Sequence, residues 1–553
     1  MPAPLSITFL GGLGEIGRNC AAIECEGRVV LIDCGLMFPD DDMLGVDLVL
    51  PDFSWLRGRA DAIDGVILTH GHEDHVGALP YFLREFSAPL YGSELTLGLA
   101  RGRIEEAGLL SSTSLNVVRD GERRRIGPFD CEFLPVTHSV PHGFATALHT
   151  PQGTILHTGD FKLDLTPVDG RLTDLSRVGG MSSTDGIRLL LSDSTNAEEH
   201  GHADSERSVG AVLYSLFHEN EGRRIITTCF ASHIHRIQQI AESAVAFGRV
   251  IAPLGRSMRR NITMAREMGV LDLPASSLID IEEVDSFQPG QVCVVSTGSQ
   301  GEPMSALALL GGNENRWLKV GPEDTVILSS HPIPGNEGAV SRVIDNLVRL
   351  GAEVVHSGIA DVHASGHAKS EDLKLFLSVA RPEWFVPVHG EYRHLVAHSR
   401  LAMKMGVASD RAVLAEDGDQ LVLDDEGLRM RGRVPAEYVY VHGTVGDVSS
   451  GTLGERRILG QEGVVTAIVC VDLSAATLVA GPEVATRGWV EREESAEIVA
   501  AVADRVRRNL TAALGDGERN RSALERVVRK SAGSAVSELT RRRPMIVPVV
   551  IEA

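Results

Sequence analysis

Residues 70–75 read His-Gly-His-Glu-Asp-His, three imidazoles and two carboxylates within six positions. The segment follows the apolar run GVILT and precedes VGALPYFL, which places it on a loop between a buried strand and a helix. On such a loop His70 and His72 can grip one metal ion while Asp74 and His75 turn toward a second. Imidazole and carboxylate are donors that suit Zn²⁺ or Mn²⁺ and leave positions open for water. A lone pair of surface histidines would carry no chemistry, but this density after a buried strand leaves that reading little room. The remaining ligands have to come from other strand ends. His138 closes FLPVTH, Asp160 closes ILHTGD and His389 closes WFVPVH. His142 and His149 compete with His138, but only His138 stands directly beyond an apolar run. His142 follows Pro141 in an open turn and is a candidate for a supporting contact.

A second motif is a decoy. GLGEIG at 12–17 matches GxGxxG after a strand, with Asp33 at about the distance of a ribose-binding carboxylate. A dinucleotide site needs a helix directly after the third glycine. Here the third glycine leads instead into NCAAIECEGRVVLIDCG, a hairpin turning at Glu26-Gly27, so the glycines are expected to form a tight turn near the site.

The elements that must position these residues change rhythm along the chain. From 5 to about 200, short strands dominate: SITFL, CAAIEC, RVVLIDCG, GVILTH, FDCEFLPVTH, GTILHTGDF and IRLLLSDS, each bounded by Gly, Pro or Asp. From about 205 to 350, strands RRIITTCF, RVIAPLG, QVCVVSTGS, DTVILSS and AEVVHSG alternate with helical patterns such as HIHRIQQIAESAVAFG. That alternation predicts a parallel sheet covered by helices. A helix near DLKLFLSVA and the strand WFVPVHG return to the first style. The expected divisions are 1–204 with 351–424 as one split domain, 205–350 as an insertion, 425–464 as a turn-rich linker, and 465–553 as a small α/β unit built from VVTAIVCVD, two helices and PMIVPVVIEA.

Apolar residues make up 43% and charged residues 23%, the balance of a folded globular protein. No stretch approaches the ~20 apolar residues that span a bilayer. MPAPLSITFL lacks the basic start and cleavage site of a signal peptide, so the expected location is the cytoplasm and no membrane partner is expected. The seven cysteines form no CxxC pair and read as buried reduced thiols. A net charge of −22 argues against a sequence-independent DNA coat. It leaves room for a nuclease, since metals and a local basic lining attract RNA. Arg123 to Arg125, and Arg256, Arg259 and Arg260, are such basic clusters, and ordinary solvated surface explains them equally well.

HxHxDH with later His, Asp and His strand ends resembles the metallo-β-lactamase superfamily, an αββα sandwich. The resemblance implies that His70, His72 and His138 hold one metal, that Asp74, His75 and His389 hold another, and that Asp160 bridges them. Asp33 resembles the acidic motif that orients the HxHxDH loop. The α/β insertion between Asp160 and His389 resembles the β-CASP nucleic-acid-processing branch. Its loops CFASHIHR, STGSQGEP and SSHPIPGNE are rich in small polar residues suited to phosphate at helix N-termini. HASGHA at 363–368 adds Ser365 and Gly366 as a phosphate nest, with His363 and His367 as donors. Satisfied loop histidines are the competing reading there.

TGSQGEP, HASGH and VHGEYRH together resemble the ribonuclease J family, over about 5–553. That resemblance implies a ribonuclease with two Zn²⁺ ions, or Mn²⁺, cutting 5′-to-3′ as an exonuclease and also internally, in messenger-RNA decay and ribosomal-RNA maturation. Asp193 and His367 match the branch's extra acidic and histidine motifs, and His389 its final metal-binding histidine. His233 and His142 depart from the asparagine and aspartate expected at those positions. Asp74, His367 and Asp193 are the expected proton-handling residues, with Asp160 as the alternative to Asp74 for the proton of the attacking water. Ser232, His233, His363, Ala364, Ser365, Gly366 and His367 are the expected cradle for single-stranded RNA with a 5′ monophosphate. A metallohydrolase of small esters or thioesters does not explain the insertion, and an inactive RNA-binding subunit should lack a ligand. The C-terminal unit, with amphipathic helices and no ligand cluster, suggests a homodimer or homotetramer. A structural Ca²⁺ or Mg²⁺ is a further expectation at Gly45, Asp47 and Asp447, where ordinary turn aspartates are the simpler reading.

Overall fold

The computed structural model describes residues 2–40, 42–302, 304–333, 336–446, 448–490 and 495–553. They form two compact units, 1–38 with 49–439 and 39–48 with 440–553. Among the described residues, no helix is long and apolar enough to cross a membrane.

The first unit is built on two sheets. One runs, edge to edge, Gly427–Arg433, Asp419–Asp424, Leu5–Gly11, Cys20–Cys25, Arg28–Ile32, Ile63–Ile67, Leu90–Gly92 and Leu115–Val117. The other runs Trp384–Val388, Ile187–Asp193, Gly153–His157, Gly143–Thr150, Phe129–Val136 and Arg123–Ile126. Leu5, Ile7, Ile23 and Val30 from the first pack with Phe133, Phe144, Ile155, Leu189 and Val386 from the second in a single core. Each such fully buried apolar side chain stabilises by about 1.5–3 kcal/mol. Leu189 and Leu191 face that core, whereas Leu190 faces outward onto Leu373, Phe376 and Leu377 of helix Ser370–Ala380. Burial on both faces is why IRLLLSD reads as an unbroken apolar run. This is the αββα sandwich.

The insertion is a parallel sheet ordered Val250–Leu254, Val292–Ser296, Arg224–Thr228, Asp324–Leu328 and Glu353–Val355. Helices Glu206–Glu219, Ile234–Ala246 and Arg256–Glu267 build an apolar cluster with strand residues Ile225, Cys293, Val295 and Ile327. Helix Glu337–Arg349 contributes to another with Ile226, Val294 and Val326. Arg236, fully buried, donates to both Glu206 carboxylate oxygens at 2.6 and 2.9 Å and to the carbonyls of Ser329 and Val362. One guanidinium thereby ties the start of the insertion to its last strands.

In the second unit, strands Thr477–Arg487, Val464–Asp472 and Met545–Glu552 form a sheet. Val465, Ala467, Val469 and Val471 pack beneath Val502, Val506 and Leu510 of helix Ser495–Gly515 and Leu524 and Val528 of helix Arg521–Thr540.

One expectation differs from the structure, and some strands were not read from the sequence. Residues 425–464 are no mere linker: Gly427–Arg433 is a strand of the first sheet, and Ser450–Glu462 is a helix capped by the Ser449 hydroxyl. Strand Thr477–Arg487 went unrecognised, because Gly481-Pro482 interrupts its pattern. It lies at the sheet edge, where a residue without an N–H is tolerated.

Candidate metal centre

Strand ends converge as the sandwich requires. Nε2 of His70 and Nε2 of His138 lie 3.0 and 3.2 Å from Nδ1 of His72. On the other side, Nε2 of His75 and Nε2 of His389 lie 3.5 and 3.6 Å from Asp74 Oδ2. A single oxygen, Asp160 Oδ2, reaches both groups: 3.0 Å from His389, 3.2 Å from His75, 3.6 Å from His70 and 3.9 Å from His138. Two sets of four ligand atoms thus share Asp160, His70–His72–His138 and Asp74–His75–His389. Burial, foremost, holds His70 and His138 well below the ordinary imidazole range and His72 down at about 4. Neutral rings whose lone pairs face one another at about 3 Å repel unless a cation lies among them. The spacing suits ligands at about 2.0–2.1 Å from one ion, so the donor set fits a divalent metal.

Surrounding groups aim these ligands. Asp33, in a left-handed conformation at φ 61°, accepts the Thr69 N–H and hydroxyl at 2.8 Å each and His75 Nδ1–H at 2.7 Å. Burial opposes charge on His75, but Asp160, Asp74 and Asp33 outweigh it and raise its pKa well above normal. His138 Nδ1–H donates to the Gly366 carbonyl at 2.7 Å. A Cβ at Gly366 would come within 2.6 Å of the His138 ring, so only glycine allows that approach. His367 Nδ1 bonds Asp193 at 2.8 Å. Although burial opposes it, that carboxylate pushes His367 up to about 9. Ser365 Oγ accepts the Asn196 side-chain N–H at 2.8 Å and the His367 N–H at 3.2 Å.

Family profiles match this layout: "Metallo-beta-lactamase superfamily" over 13–197, "Ribonuclease J, beta-CASP domain" over 222–347, "Zn-dependent metallo-hydrolase RNA specificity domain" over 351–412 and "Ribonuclease J C-terminal domain" over 451–553. Ribonuclease J of Mycobacterium tuberculosis strain H37Rv is 42% identical over 559 residues, covering 100% of this chain and 99% of its own. The chain belongs to the ribonuclease J family. Ribonuclease J 1 of Streptococcus pyogenes serotype M3 is 37% identical across 100% of this chain and 98% of its own. A solved protein of unknown function from Enterococcus faecalis V583 shares the fold, with TM-score 0.53 and 16% identity over 76% of this chain and 100% of that one.

Other expected residues of this ribonuclease J family chain sort differently. His149 pairs with Glu132 at 3.0 Å on the six-stranded sheet. His142, at φ 61°, lies among Arg171, Asp169 and Asp120. His233 is buried with Nε2 3.5 Å from Glu206, so its ring turns into the Arg236 network. Ser232 is half-buried beside it, and Ala364 sits in an apolar core and can offer only backbone. His363 stacks on His331 with ring centroids 6.2 Å apart. Four arginines of the two basic clusters are paired locally: Arg123 with Asp130, Arg124 with Glu122, Arg259 with Asp280 and Arg260 with Glu106.

At the expected structural-cation site only Gly45 and Asp47 fall among the described residues. Asp47 accepts the Gly443 N–H at 2.8 Å, and the Arg456 guanidinium packs against Gly45. Asp447 lies outside the described residues. Sequence reasoning missed Asn19, whose side chain donates to the Asp74 carbonyl at 3.1 Å, and Thr69. Thr69 carried a signal, a polar residue closing an apolar strand beside His70; Asn19 carried none.

Proposed function

We propose that the chain degrades RNA from a 5′-monophosphate end in the 5′-to-3′ direction and also cuts internally, with two Zn²⁺ ions, or Mn²⁺ in their place, in cytoplasmic messenger-RNA decay and ribosomal-RNA maturation. At the coarser level, the chain is a metal-dependent ribonuclease of its family. The observation that carries the finer reading is the hydrogen bond from His138 to Gly366, which joins a metal ligand to the segment His363–His367. A phosphate gripped by that segment is held next to the metal ligands.

His70, His72, His138, Asp74, His75, His389 and Asp160 would hold the divalent metal, which when bound would supply water activation and charge neutralisation at the phosphate. Asp74, more open to solvent than Asp160, accepts the proton of the attacking water. His367 keeps Nδ1 on Asp193, which leaves Nε2–H to protonate the departing 3′ oxygen. Ser365 Oγ already accepts two N–H groups, so its own proton is left to donate to a phosphate oxygen. Breaking the P–O3′ bond leaves a 5′ monophosphate on the remaining RNA, which renews the substrate for the same cradle.

The test is a time course on 5′-monophosphorylated, 5′-triphosphorylated and circular RNA with the wild type and Ser365→Ala. Monophosphorylated RNA should be degraded fastest. Ser365→Ala should lose one charge-assisted hydrogen bond, worth about 1.5–3 kcal/mol, on that substrate and much less on the circle. Equal loss on all three would mean that Ser365 serves catalysis or folding and that end recognition lies elsewhere.

A further inference from the structure

Five imidazoles present one ring nitrogen to the metal centre, and four have the other nitrogen held by protein. His75 is held by Asp33 at 2.7 Å, His138 by the Gly366 carbonyl at 2.7 Å, His70 by Thr69 Oγ1 at 3.1 Å and His72 by Ser139 Oγ at 3.4 Å. His389 differs. Its Nε2 faces Asp160, while its buried Nδ1 has no hydrogen-bond partner among the described residues. Metal-binding histidines almost always donate their second N–H to a carboxylate, a carbonyl or a water.

Against His389 lies a cavity of about 20 Å³, lined also by Gly12, Asn19 and His157. A cavity needs about 10–15 Å³ by this measure to hold one water, together with two to four polar partners. His157 supplies one. Its Nδ1 accepts the Gly159 N–H at 3.0 Å, so in the neutral ring the proton resides on Nε2. Asn19 supplies another, because its Oδ1 sits against Gly12, 2.4 Å from where a Cβ there would stand.

We infer that this cavity binds one water molecule as the partner of His389 Nδ1, and that His157 is the positioning residue that holds it. The water accepts Nε2–H of His157 with one lone pair and Nδ1–H of His389 with the other, and it can donate to Asn19 Oδ1. That assignment puts the His389 proton on Nδ1 and leaves the Nε2 lone pair for the metal. The water thus completes for His389 what Asp33 does for His75.

The inference rests on the two-metal reading, which the metal content of the wild type tests separately. The experiment joins a high-resolution crystal structure of the zinc-loaded full chain with chelator competition and Co²⁺ absorption spectra for wild type, His157→Leu and His157→Gln. Density for a water within hydrogen-bond distance of His389 Nδ1 is expected in the wild type. His157→Leu should bind the metal of the Asp74–His75–His389 set about 10–100-fold more weakly, with an altered Co²⁺ spectrum. His157→Gln, whose amide N–H replaces Nε2–H, should restore both. A dry cavity in the wild type overturns the inference, whether or not the leucine variant folds. So does a folded His157→Leu with unchanged affinity and spectrum, or a folded His157→Gln that fails to restore them.

Discussion

Asp74 and Asp160 both approach His75 and His389 but do different work. Asp160 is sealed in, with a side chain 2% exposed, and one oxygen serves both ligand sets; Asp74 is 28% exposed and serves one. Asp74→Ala should therefore keep the fold, remove one ligand and lower RNA cleavage by about 10²–10⁴-fold, the range of a lost acid–base group. Turnover assayed beside metal content checks this, and near-normal turnover with full metal would contradict it. Asp33→Asn should cost about 10–100-fold in metal affinity, because His75 loses its anionic acceptor. Chelator competition reads that loss, and an unchanged affinity would free Asp33 from the role. At this scale HGHEDH was legible because its donors are contiguous. Asn19 was not, since its partner Asp74 lies 55 positions away, and neither was the link from His138 to Gly366 across 228 positions.

Elements add a buried charge network that the sequence hid. Glu206 begins one helix, Arg236 lies in another, and His233 and Lys162 also act on the same carboxylate. Against the cost of burial, Arg236 and His233 hold Glu206 well below the usual carboxylate range. A depressed carboxylate gives stability that is present above its unfolded pKa, about 4.3, and is lost as pH falls through the folded value. Glu206→Gln strands the Arg236 charge and should destabilise the inserted domain by about 3–5 kcal/mol near neutral pH. The gap to wild type should hold above about pH 5, begin to narrow below about pH 4, and close only as pH falls through the folded value. Thermal unfolding across about pH 2–8 checks this, and a gap that stays constant or widens as the pH falls below about 4 would refute it. Most strands with a long apolar run were legible, but Gly143–Thr150 and Asp419–Asp424 were not, although both have buried faces. Helix Ser450–Glu462 was not, because Gly451, Gly454 and Gly460 dilute its helical signal.

For the whole molecule, the net charge of −22 and the domain order were readable early, since both follow from composition and from the change of rhythm near 205. The use of the C-terminal unit was not, because it carries no ligand cluster among the described residues. Its sheet packs one face on helices, while Val479, Val547 and Ile551 remain exposed. Truncation after 449 should yield smaller assemblies in sedimentation; an unchanged mass accompanied by loss of metal would show that the unit supports the site instead. Above all, the two ligand sets are expected to cut RNA stepwise from its 5′ end. The decisive assay digests 5′-³²P-monophosphorylated RNA with the Zn²⁺- or Mn²⁺-loaded protein and resolves the earliest products. Label should be released from the first time points as a nucleoside 5′-monophosphate, and chelation should abolish that release. Label that appears only in longer internal fragments, or release that persists under chelation, would show that the two ligand sets do not cut in this way.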